Sequence, residues 1–407
     1  MAGRVKGTRD FIGLEAVVRQ EMLQKIKTSY SLFGFEPIET PAFEYLQLFV
    51  DKSGPEIENQ LYSFSDKKGE KLALRPEHTV SKMRVITSDK SLIKPIKTYS
   101  IGPVWRYEDV AKGRLREFIQ ADIDIYGGKS VSYDAEVIAC MDYTLKKLGI
   151  SGYKIHLNNR KVLQDMLDSL GIPFDVGLQV MREIDKLDKI GMDEVAKNLV
   201  KLVGNDKSNK IKSYLLGELK VKSEVGDEEL NGLISYLKKY GIENYEVDRK
   251  LVRGLAYYDG NIFEFIADTG PYKGTIAAGG RYDILSRQFD SSISATGAAL
   301  GFERIFEIVK ENTKADFSDR LCVISIDSDD EAIRTATAIR YKDVFADLLL
   351  SDVSLSKALA YCDSKKIRYA VLIGKKDLER GEVTLRDLKE KKERRMKLSD
   401  LESLNWL

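Results

Sequence analysis

The chain has little from which to build a disulfide framework or a metal centre. Of its 407 residues, three are cysteine and two are histidine. The cysteines at positions 140, 322 and 362 are too few and too scattered for a disulfide-rich scaffold or a cysteine-rich zinc site. His78 and His156 alone exclude a multi-histidine metal site. We therefore predict no metal-ligating residues and a cytoplasmic location.

Long apolar runs and a strong net charge are also absent. No run of roughly 18 apolar residues occurs, so we expect no membrane span, and residues 1–6 lead into no apolar segment of a signal peptide. Lys+Arg number 65 against 64 Asp+Glu, so a nucleic-acid partner is neither indicated nor excluded. The charged run 389–395 is interpreted as a solvated hairpin tip rather than a nucleic-acid patch.

Hydrophobic periodicity divides the rest of the chain into parts, and the length predicts two to three domains. An amphipathic helix at 14–33 precedes two strand-like runs, 97–106 and 117–126, which a charged loop joins. From about 160 to 242 the pattern is helical, rich in lysine and aspartate and poor in aromatic residues, which predicts an inserted helical module. Strand and glycine signals return between 247 and 306.

The part that starts near residue 319 alternates strands with helices. Residues 321–326 form a buried-strand pattern, and Ser328 is a candidate N-cap with acidic residues after it. Strands are predicted at 344–350 and 369–373, with a helix at 354–366 between them. This alternation predicts a small βαβ domain with a partly parallel sheet.

A polar face follows the second of the two paired strands. With two antiparallel strands and a basic loop between them, Arg106 would lie near the turn. Gln120, Asp122 and Asp124 share one face because strand side chains alternate. Three polar residues on one face indicate the floor of a polar pocket, although a strand with one solvated face gives the same pattern.

A carboxylate and a hydroxyl follow the strand that ends at Arg75. Pro76 stops that strand and holds Arg75 extended. Glu77 and Thr79 could then hold an ammonium group, while His78 between them is interpreted as a structural or solvated histidine rather than a ligand.

The stretch from Leu251 to Gly260 combines one arginine with two tyrosines. Arg253 is permanently charged and offers a planar fork of donors. Tyr257 and Tyr258 add flat walls with polar tips. Such a stretch suits a pocket for a phosphate beside a small planar polar group, and by itself it is equally compatible with an ordinary strand end.

Two glycine-rich runs follow at 279–283 and 295–305. The second is small and apolar and opens a helix that bears Arg304, a position that makes sense if the arginine meets an anion. Neither the Gly-x-Gly-x-x-Gly dinucleotide pattern nor a phosphate-binding loop ending in Gly-Lys-Ser/Thr occurs. A nucleotide would therefore lie on an antiparallel sheet and be held by arginines.

Together these segments resemble the class II aminoacyl-tRNA synthetases and, within them, the histidyl-tRNA synthetase family. The resemblance covers nearly the whole chain. Residues 14–46 are similar to motif 1, which implies a homodimer interface, 101–124 to motif 2 and 295–306 to motif 3. Residues 253–258 and 279–283 are similar to two stretches peculiar to the histidine enzymes.

The family implies an α+β catalytic core on an antiparallel sheet with flanking helices, spanning 1–317, with the helical insertion at about 160–242. It also implies a C-terminal α/β anticodon-binding domain at 318–407. The implied reaction activates histidine with ATP, accompanied by Mg²⁺, to histidyl-adenylate and pyrophosphate. Histidine then passes to the 3′ end of tRNA(His).

The resemblance also implies roles for single residues. Catalysis falls to Arg253 and Arg106, which face the α-phosphate from opposite sides, a role filled by a metal ion in some relatives. ATP binding falls to Arg106, Glu108, Arg114 and Arg304. Glu77, Thr79 and Gln120 would hold the substrate ammonium, and Asp124 and Tyr258 the imidazole nitrogens. Arg253 and Tyr257 complete the histidine-binding set.

The chain departs from the family pattern at three positions. Asp124 stands where bacterial enzymes usually have glutamate, Ala256 where the family usually has aspartate, and His78 where it has a small residue, which would crowd the ammonium site. The alternative function is a non-catalytic relative that regulates ATP phosphoribosyltransferase, and a third is a tRNA-binding module without catalysis. Because Arg106, Arg253 and Arg304 are all present, we expect the enzyme.

Overall fold

The computed structural model describes residues 3–53, 55–253, 257–268, 272–312, 320–398 and 400. The chain forms two compact units, Met1–Thr313 and Lys314–Leu407. No helix among the described residues is long and apolar enough to cross a membrane.

The described helices of the first unit are α1 Gly13–Leu32, α2 Leu46–Ser53, α3 Thr79–Ser88, α4 Ser132–Lys147, α5 Arg160–Ser169, α6 Phe174–Ile184, α7 Leu187–Ile190, α8 Met192–Val203, α9 Asn205–Leu215, α10 Glu224–Lys239, α11 Asp283–Arg287 and α12 Phe302–Asn312, with a 3₁₀ helix at Pro55–Gln60. Its described strands are β1 Glu36–Pro37, β2 Phe43–Tyr45, β3 Ser63–Ser65, β4 Lys71–Leu74, β5 Ile96–Trp105, β6 Glu117–Tyr126, β7 Tyr153–Asn159, β8 Tyr245–Val247, β9 Asn261–Ala267, β10 Gly274–Arg281 and β11 Ala295–Gly301.

An eight-stranded sheet organises the first unit, with the strand order β1-β5-β6-β11-β10-β9-β7-β8. The strands from β5 to β7 in this order pair antiparallel, while the short outer strands β1 and β8 pair parallel with their neighbours. Strands β2, β4 and β3 form a separate small sheet. The predicted antiparallel core with flanking helices is confirmed.

One face of the large sheet is apolar and the other is polar, and β6 shows why. Ala121, Ile123 and Ile125 point into the main core, which they share with residues of α1 and α4. The Tyr30 hydroxyl of α1 donates to the Ala121 carbonyl across 3.1 Å. The intervening polar residues of β6 point to the opposite face, as the period of two predicts. The large sheet therefore packs against helices on its apolar face and presents polar side chains on the opposite face.

Helices α5 to α10 occupy the region predicted to be helical. Many of their apolar residues form a core of their own, which Val252 also joins. Arg160 donates from Nη1 to the Val252 carbonyl at 3.0 Å, and Asn158 donates to the Leu251 carbonyl at 2.8 Å. The chain just before Arg253 is thus fixed to the start of the helical segment.

The second unit contains β12 Arg320–Ile326, α13 Asp329–Arg340, β13 Phe345–Leu349, α14 Leu355–Ser364, β14 Tyr369–Gly374, α15 Lys375–Leu378, β15 Glu382–Asp387 and β16 Lys392–Lys397 among its described residues. Its sheet has the order β13-β12-β14-β15-β16, in which β12 is parallel to β13 and β14 and the remaining pairs are antiparallel. This agrees with a partly parallel βαβ domain that ends in a hairpin.

Two local predictions need correction. Ser328 is the N-cap residue of α13 by position, but its side chain makes no capping hydrogen bond. The glycine-rich run at 295–301 does not itself begin the helix, because it is the central strand β11 and the helix starts at Phe302. Small residues suit that strand because a Cβ on Gly297 would lie 2.6 Å from the Ile123 carbonyl oxygen of neighbouring β6.

Candidate active site

A cleft of about 370 Å³ opens on the polar face of the large sheet. Strands β6, β10 and β11 and the start of α12 contribute to it. The cleft brings together all eleven predicted site residues: Glu77, Thr79, Arg106, Glu108, Arg114, Gln120, Asp124, Arg253, Tyr257, Tyr258 and Arg304. Residues separated by more than half of the chain thus share one site.

Arg106 follows β5 and is held from two sides. Its Nε donates to the Pro76 carbonyl at 2.8 Å, and its guanidinium lies 5.4 Å from the Phe118 ring centroid. In the loop beyond it, Arg114 donates from Nε to a carboxylate oxygen of Glu108 at 2.6 Å. The two residues expected to meet adenine and phosphate are therefore paired with each other in the free protein.

Arg304 lies in the first turn of α12, where the charged loop packs against it. Its Nη1 donates to the Thr275 carbonyl at 2.6 Å, and its guanidinium lies 5.9 Å from the Tyr272 ring centroid. A side chain on Gly113 would come within 3.3 Å of the Arg304 Cγ atom. Glycine suits this position for two reasons: a Cβ would crowd Arg304, and the φ of Gly113 is +69°, a backbone conformation that favours glycine.

Arg253 has a backbone conformation that is uncommon for a residue with a side chain, with φ at +60°. Its Nη1 donates to Glu264 at 2.8 Å, and the other carboxylate oxygen of Glu264 accepts from the Thr275 hydroxyl, also at 2.8 Å. Burial opposes the charge of Arg253, but Tyr258 and Glu264 raise its pKa above the usual range. The uncommon backbone conformation and the contact with Glu264 therefore hold the permanently charged guanidinium of Arg253 at the cleft.

Buried acceptors line the end of the cleft where an ammonium group is expected. One oxygen of Glu77 accepts from the Val80 amide at 3.0 Å, and the other accepts from the Tyr257 hydroxyl at 3.5 Å. Burial raises the pKa of Glu77. Gln120 Oε1 is buried and has no hydrogen-bond partner among the described residues. An unsatisfied acceptor costs free energy unless a ligand donates to it.

Asp124 is held from two sides by other side chains. The Tyr282 hydroxyl donates to Oδ1, and the Lys82 ammonium donates to Oδ2. Lys82 also lies 3.9 Å from Asp122, whose two carboxylate oxygens have no hydrogen-bond partner among the described residues. Burial raises the pKa of Asp122 to about 8, against the opposing influence of Lys82. Two aspartates thus line this end of the cleft, and one buried lysine contacts both of them.

Three tyrosines form a wall around these groups. The Tyr257 ring centroid lies 5.1 Å from that of Tyr258 and 5.9 Å from that of Tyr282. All three rings are buried, and burial raises the pKa of each hydroxyl, so all three are neutral donors near pH 7. Aromatic walls with polar tips suit a flat heteroaromatic ring.

The residues in or beside the cleft that were not among those predicted include Lys82, Lys189, Glu264 and Tyr282. Glu264 was detectable, because it is the one charged residue in the apolar strand β9. Lys82 lies in a helix of mixed polarity that gives no sign of its complete burial. Lys189 lines the cleft from α7, which no local pattern could place there.

Other expectations fall outside the cleft. His78 does not line it, so it does not crowd the ammonium site, and burial, Lys82 and Arg75 lower its pKa to about 3. Arg281 of the first glycine-rich run donates to Asp134 at 2.8 Å and is structural. Residues 254–256, which include the unusual Ala256, lie outside the described residues. In the part of the chain that the structure describes, no group of three or more His, Cys, Asp or Glu could hold a metal ion.

Comparison with known proteins matches the chain to one family. The family model for histidyl-tRNA synthetase matches residues 7–305. The chain belongs to the histidyl-tRNA synthetase family. A second model, the anticodon binding domain, matches residues 320–404. Curated relatives of the family named histidine–tRNA ligase include one from Pyrococcus abyssi, 37% identical over 95% of both chains, and one from Clostridium tetani, 32% identical over 97% of this chain and 95% of the relative.

Solved structures with a similar fold include two that cover nearly the whole chain. A histidyl-tRNA synthetase from a Nostoc species has a TM-score of 0.81 at 24% identity and covers 98% of both chains. A protein from Bacillus halodurans, described as an ATP phosphoribosyltransferase regulatory subunit/histidyl-tRNA synthetase, has a TM-score of 0.76 at 23% identity. That match covers 92% of this chain and 98% of the other. At these identities the likeness establishes the fold alone.

Proposed function

We propose that the cleft activates histidine with ATP, forming histidyl-adenylate and pyrophosphate, and that histidine then passes to the 3′ end of tRNA(His). As a member of its family, the chain is a ligase that uses ATP. One observation carries the assignment to this cleft: Arg106, Arg253 and Arg304 meet there beside buried acceptors for an amino acid.

The reaction needs positioning and charge neutralisation rather than a general base. The substrate carboxylate is already ionised near pH 7 and can attack the α-phosphorus of ATP in line. Arg106 and Arg253 would hold the α-phosphate from opposite sides, and Arg304 would hold the outer phosphates. Cations already fixed in place stabilise the developing negative charge without reorganisation.

The histidine end of the cleft would recognise each polar group of the substrate. Glu77, Thr79 and Gln120 would accept or share the ammonium hydrogens, which fits the unpartnered Oε1 of Gln120 among the described residues. Asp124 and Tyr258 would pair with the two imidazole nitrogens, with Tyr257 as a wall. An amino acid that lacks those nitrogens would leave these buried groups unpaired, which gives selectivity.

The nucleotide end would require the Glu108–Arg114 pair to separate. Glu108 would accept from the adenine amino group, and Arg114 would turn to a phosphate. The pair is partly exposed, with 18% and 43% of the two side chains accessible, so its exchange for ATP contacts costs little. Mg²⁺ would enter as part of the ATP substrate, because Mg²⁺ is usually held by phosphates together with one or two carboxylates.

We propose a catalytic domain at 1–317 and an anticodon-binding domain at 318–407. The helical segment of about 160–242 would be an insertion in the first domain. The match to an anticodon binding domain supports tRNA binding by the second part. The separate core of helices α5 to α9 supports the insertion, while α10 packs into the main core. A cytoplasmic location fits a role in protein synthesis.

A homodimer formed through residues 14–46 is also proposed. Phe43 and Tyr45 on β2 are 53% and 62% exposed, and Phe64 on the same small sheet is 44% exposed. The rings of Phe43 and Phe64 lie 6.2 Å apart and present an apolar surface to solvent. Exposed aromatic clusters are typical of protein interfaces.

Light scattering on the purified protein tests the dimer. We expect twice the chain mass for the wild type and a single chain mass for Phe43→Asp. Phe345→Asp changes an equally exposed phenylalanine, 60% accessible, in the second unit and should leave the dimer intact. A wild-type protein that stays monomeric at micromolar concentration would overturn this proposal.

Histidine-dependent exchange of pyrophosphate into ATP tests the proposed reaction, with the other amino acids as controls. We expect exchange with histidine alone. Folded protein that shows no exchange with any amino acid in the presence of Mg²⁺ would instead favour the regulator of ATP phosphoribosyltransferase. Gel shift of tRNA without exchange would favour a tRNA-binding module. Both alternatives are less well supported, because the three arginines face one cleft.

A further inference from the structure

Lys82 of α3 is completely buried, and its ammonium lies against the polar face of β6. Its ammonium donates to Asp124 Oδ2 and lies 3.9 Å from Asp122. Both aspartates line the cleft, whereas Lys82 does not. Lysine is almost never fully buried without a partner. The lysine therefore contacts the cleft through these two carboxyl groups, and its charge also acts on Glu77.

The charges at this end of the cleft nearly cancel. Burial raises the pKa of Asp122 to about 8, so Asp122 is mostly uncharged near pH 7. Lys82 and Asp124 remain as one positive and one negative charge in contact. The neighbouring phenols of α1, β6 and the tyrosine wall stay neutral because burial raises the pKa of each: Tyr30, Tyr126, Tyr257, Tyr258 and Tyr282.

Other charged groups face this pair from farther along the cleft. Glu77 precedes α3 and Arg106 follows β5, and both act on Asp122. Arg75 and the uncharged His78 do not line the cleft, and the charge of Arg75 acts on both His78 and Asp122. Glu77 and Arg106 are opposite in sign, and Arg253 beside Tyr258 is paired with Glu264. The contact between Lys82 and Asp124 is the ion pair made directly with the carboxylate assigned to the imidazole.

We infer that Lys82 is a positioning and specificity-determining residue that makes this pocket select the uncharged imidazole of histidine over the imidazolium. Lys82 and Tyr282 fix the Asp124 carboxylate from two sides and leave it lone pairs for a ring N–H. Because Lys82 already offsets the charge of Asp124, a second cation gains little there. The inference rests on the proposed assignment of Asp124 to the imidazole.

Removal of the lysine charge should reverse the preference. In Lys82→Met, Asp124 would be a buried carboxylate without a cation, and the imidazolium would become its best partner. Lys82→Gln also removes the charge but keeps an N–H donor toward Asp124, so it separates charge from hydrogen bonding. The double variant Lys82→Met/Asp124→Asn removes both charges and should restore the preference for the uncharged ring.

The test is the KM for histidine in pyrophosphate exchange at about pH 6 and about pH 7.5, both below the pKa of Asp122 of about 8. With a side-chain pKa of about 6.5, the uncharged fraction of histidine falls about fourfold between these values. The wild-type KM should therefore rise about fourfold at the lower pH. A 1,2,4-triazole analogue of histidine stays uncharged over this range, so its KM corrects for changes in the protein itself.

We expect the corrected KM of Lys82→Met and Lys82→Gln to stay level or fall at the lower pH, and that of the double variant to rise about fourfold again. Ser81→Ala, at the neighbouring buried position of α3, is the matched control and should behave as the wild type. Calorimetric binding of histidine at the same two pH values gives a second measurement that needs no turnover.

A fourfold rise that persists in Lys82→Met or Lys82→Gln would overturn the role of Lys82 while leaving the proposed function standing. Failure of the wild type to exchange with histidine at either pH would overturn both, because no imidazole site would then exist. If Lys82→Met does not fold, Lys82→Gln decides the question, since it retains the hydrogen bond.

Discussion

Asp124 and Gly297 face each other on neighbouring strands β6 and β11, and the carboxylate of one fills the space where the other would carry a side chain. A Cβ on Gly297 would overlap Asp124 Oδ1. The absence of a side chain at one position therefore sets the position of the group that we assign to imidazole binding.

The first prediction concerns this pair. Gly297→Ala should displace the Asp124 carboxylate and raise the KM for histidine by roughly 10- to 100-fold, since misplaced polar contacts cost about 1–3 kcal/mol. The KM for ATP should change far less. Gly374→Ala, at a strand glycine where a Cβ meets nothing closer than 3.8 Å, serves as control. An unchanged KM for histidine would show that the carboxylate does not bind the substrate.

Arg253 provides the second prediction. Arg253→Ala should slow adenylate formation by roughly 10²–10³-fold, because a fixed cation at the reacting phosphate is lost. Glu264→Gln should give a smaller loss in the same direction, since Glu264 holds the guanidinium at 2.8 Å. Single-turnover adenylate formation measures both. Arg287→Ala, at a side chain 68% exposed, controls for loss of an arginine. Near-normal rates in Arg253→Ala would remove the arginine from the chemistry.

The third prediction concerns Lys189, which lines the cleft from α7. Lys189→Ala should raise the KM for ATP by about 2- to 5-fold, the effect of one exposed charge, without lowering the melting temperature. Lys186→Ala removes a lysine one turn earlier that pairs with Glu183 and does not line the cleft. Equal effects of the two substitutions would argue against a specific contact between the nucleotide and Lys189.

The fourth prediction separates the two units. None of the described residues from 320 onward lines the cleft. A chain ending at residue 317 should therefore retain histidine-dependent pyrophosphate exchange and lose most tRNA charging. Both assays on one preparation give the comparison. If exchange and charging fall together, the second unit is needed for folding rather than for tRNA.

The fifth prediction is a pH dependence of stability. The pKa of Asp122 is about 8 in the folded protein, against an ordinary value near 3.8, so the folded state binds an extra proton between these limits. Folding stability from this group is complete below the lower value and is lost as the pH rises toward the higher one. Asp122→Asn abolishes this loss, so its gain in melting temperature over the wild type should grow from about pH 5 to about pH 8.

Asp89→Asn is the control for that experiment. Asp89 is exposed, and its hydrogen bonds with Ser91 lower its pKa. Its stabilising contribution is lost only as the pH falls through that lowered value, so the difference from the wild type should be constant between about pH 5 and pH 8. A constant difference for Asp122→Asn as well would show that Asp122 is ionised in the folded protein.

The sequence predicts this site well where polar residues repeat along one element. The period of two on β6 places Gln120, Asp122 and Asp124 on one face, and the structure agrees. Lys82 could not be predicted in this way, because its burial depends on how α3 packs against a strand about forty residues later. Lys189 illustrates the same limit for the helical segment, whose placement depends on tertiary packing rather than on periodicity.

The pairing of β6 with β11 also has a consequence for how the protein is made. The Tyr282–Asp124 hydrogen bond spans 158 residues of sequence, and helices α5 to α10 lie between its two ends. During synthesis, Asp124 and Lys82 leave the ribosome long before the strand that completes their pocket. A nascent chain that stops short of β11 would hold two aspartates and a lysine on an unpaired sheet edge, exposed to mispairing and aggregation. The pocket proposed for histidine therefore forms late in synthesis, only after β11 of the first unit has been made.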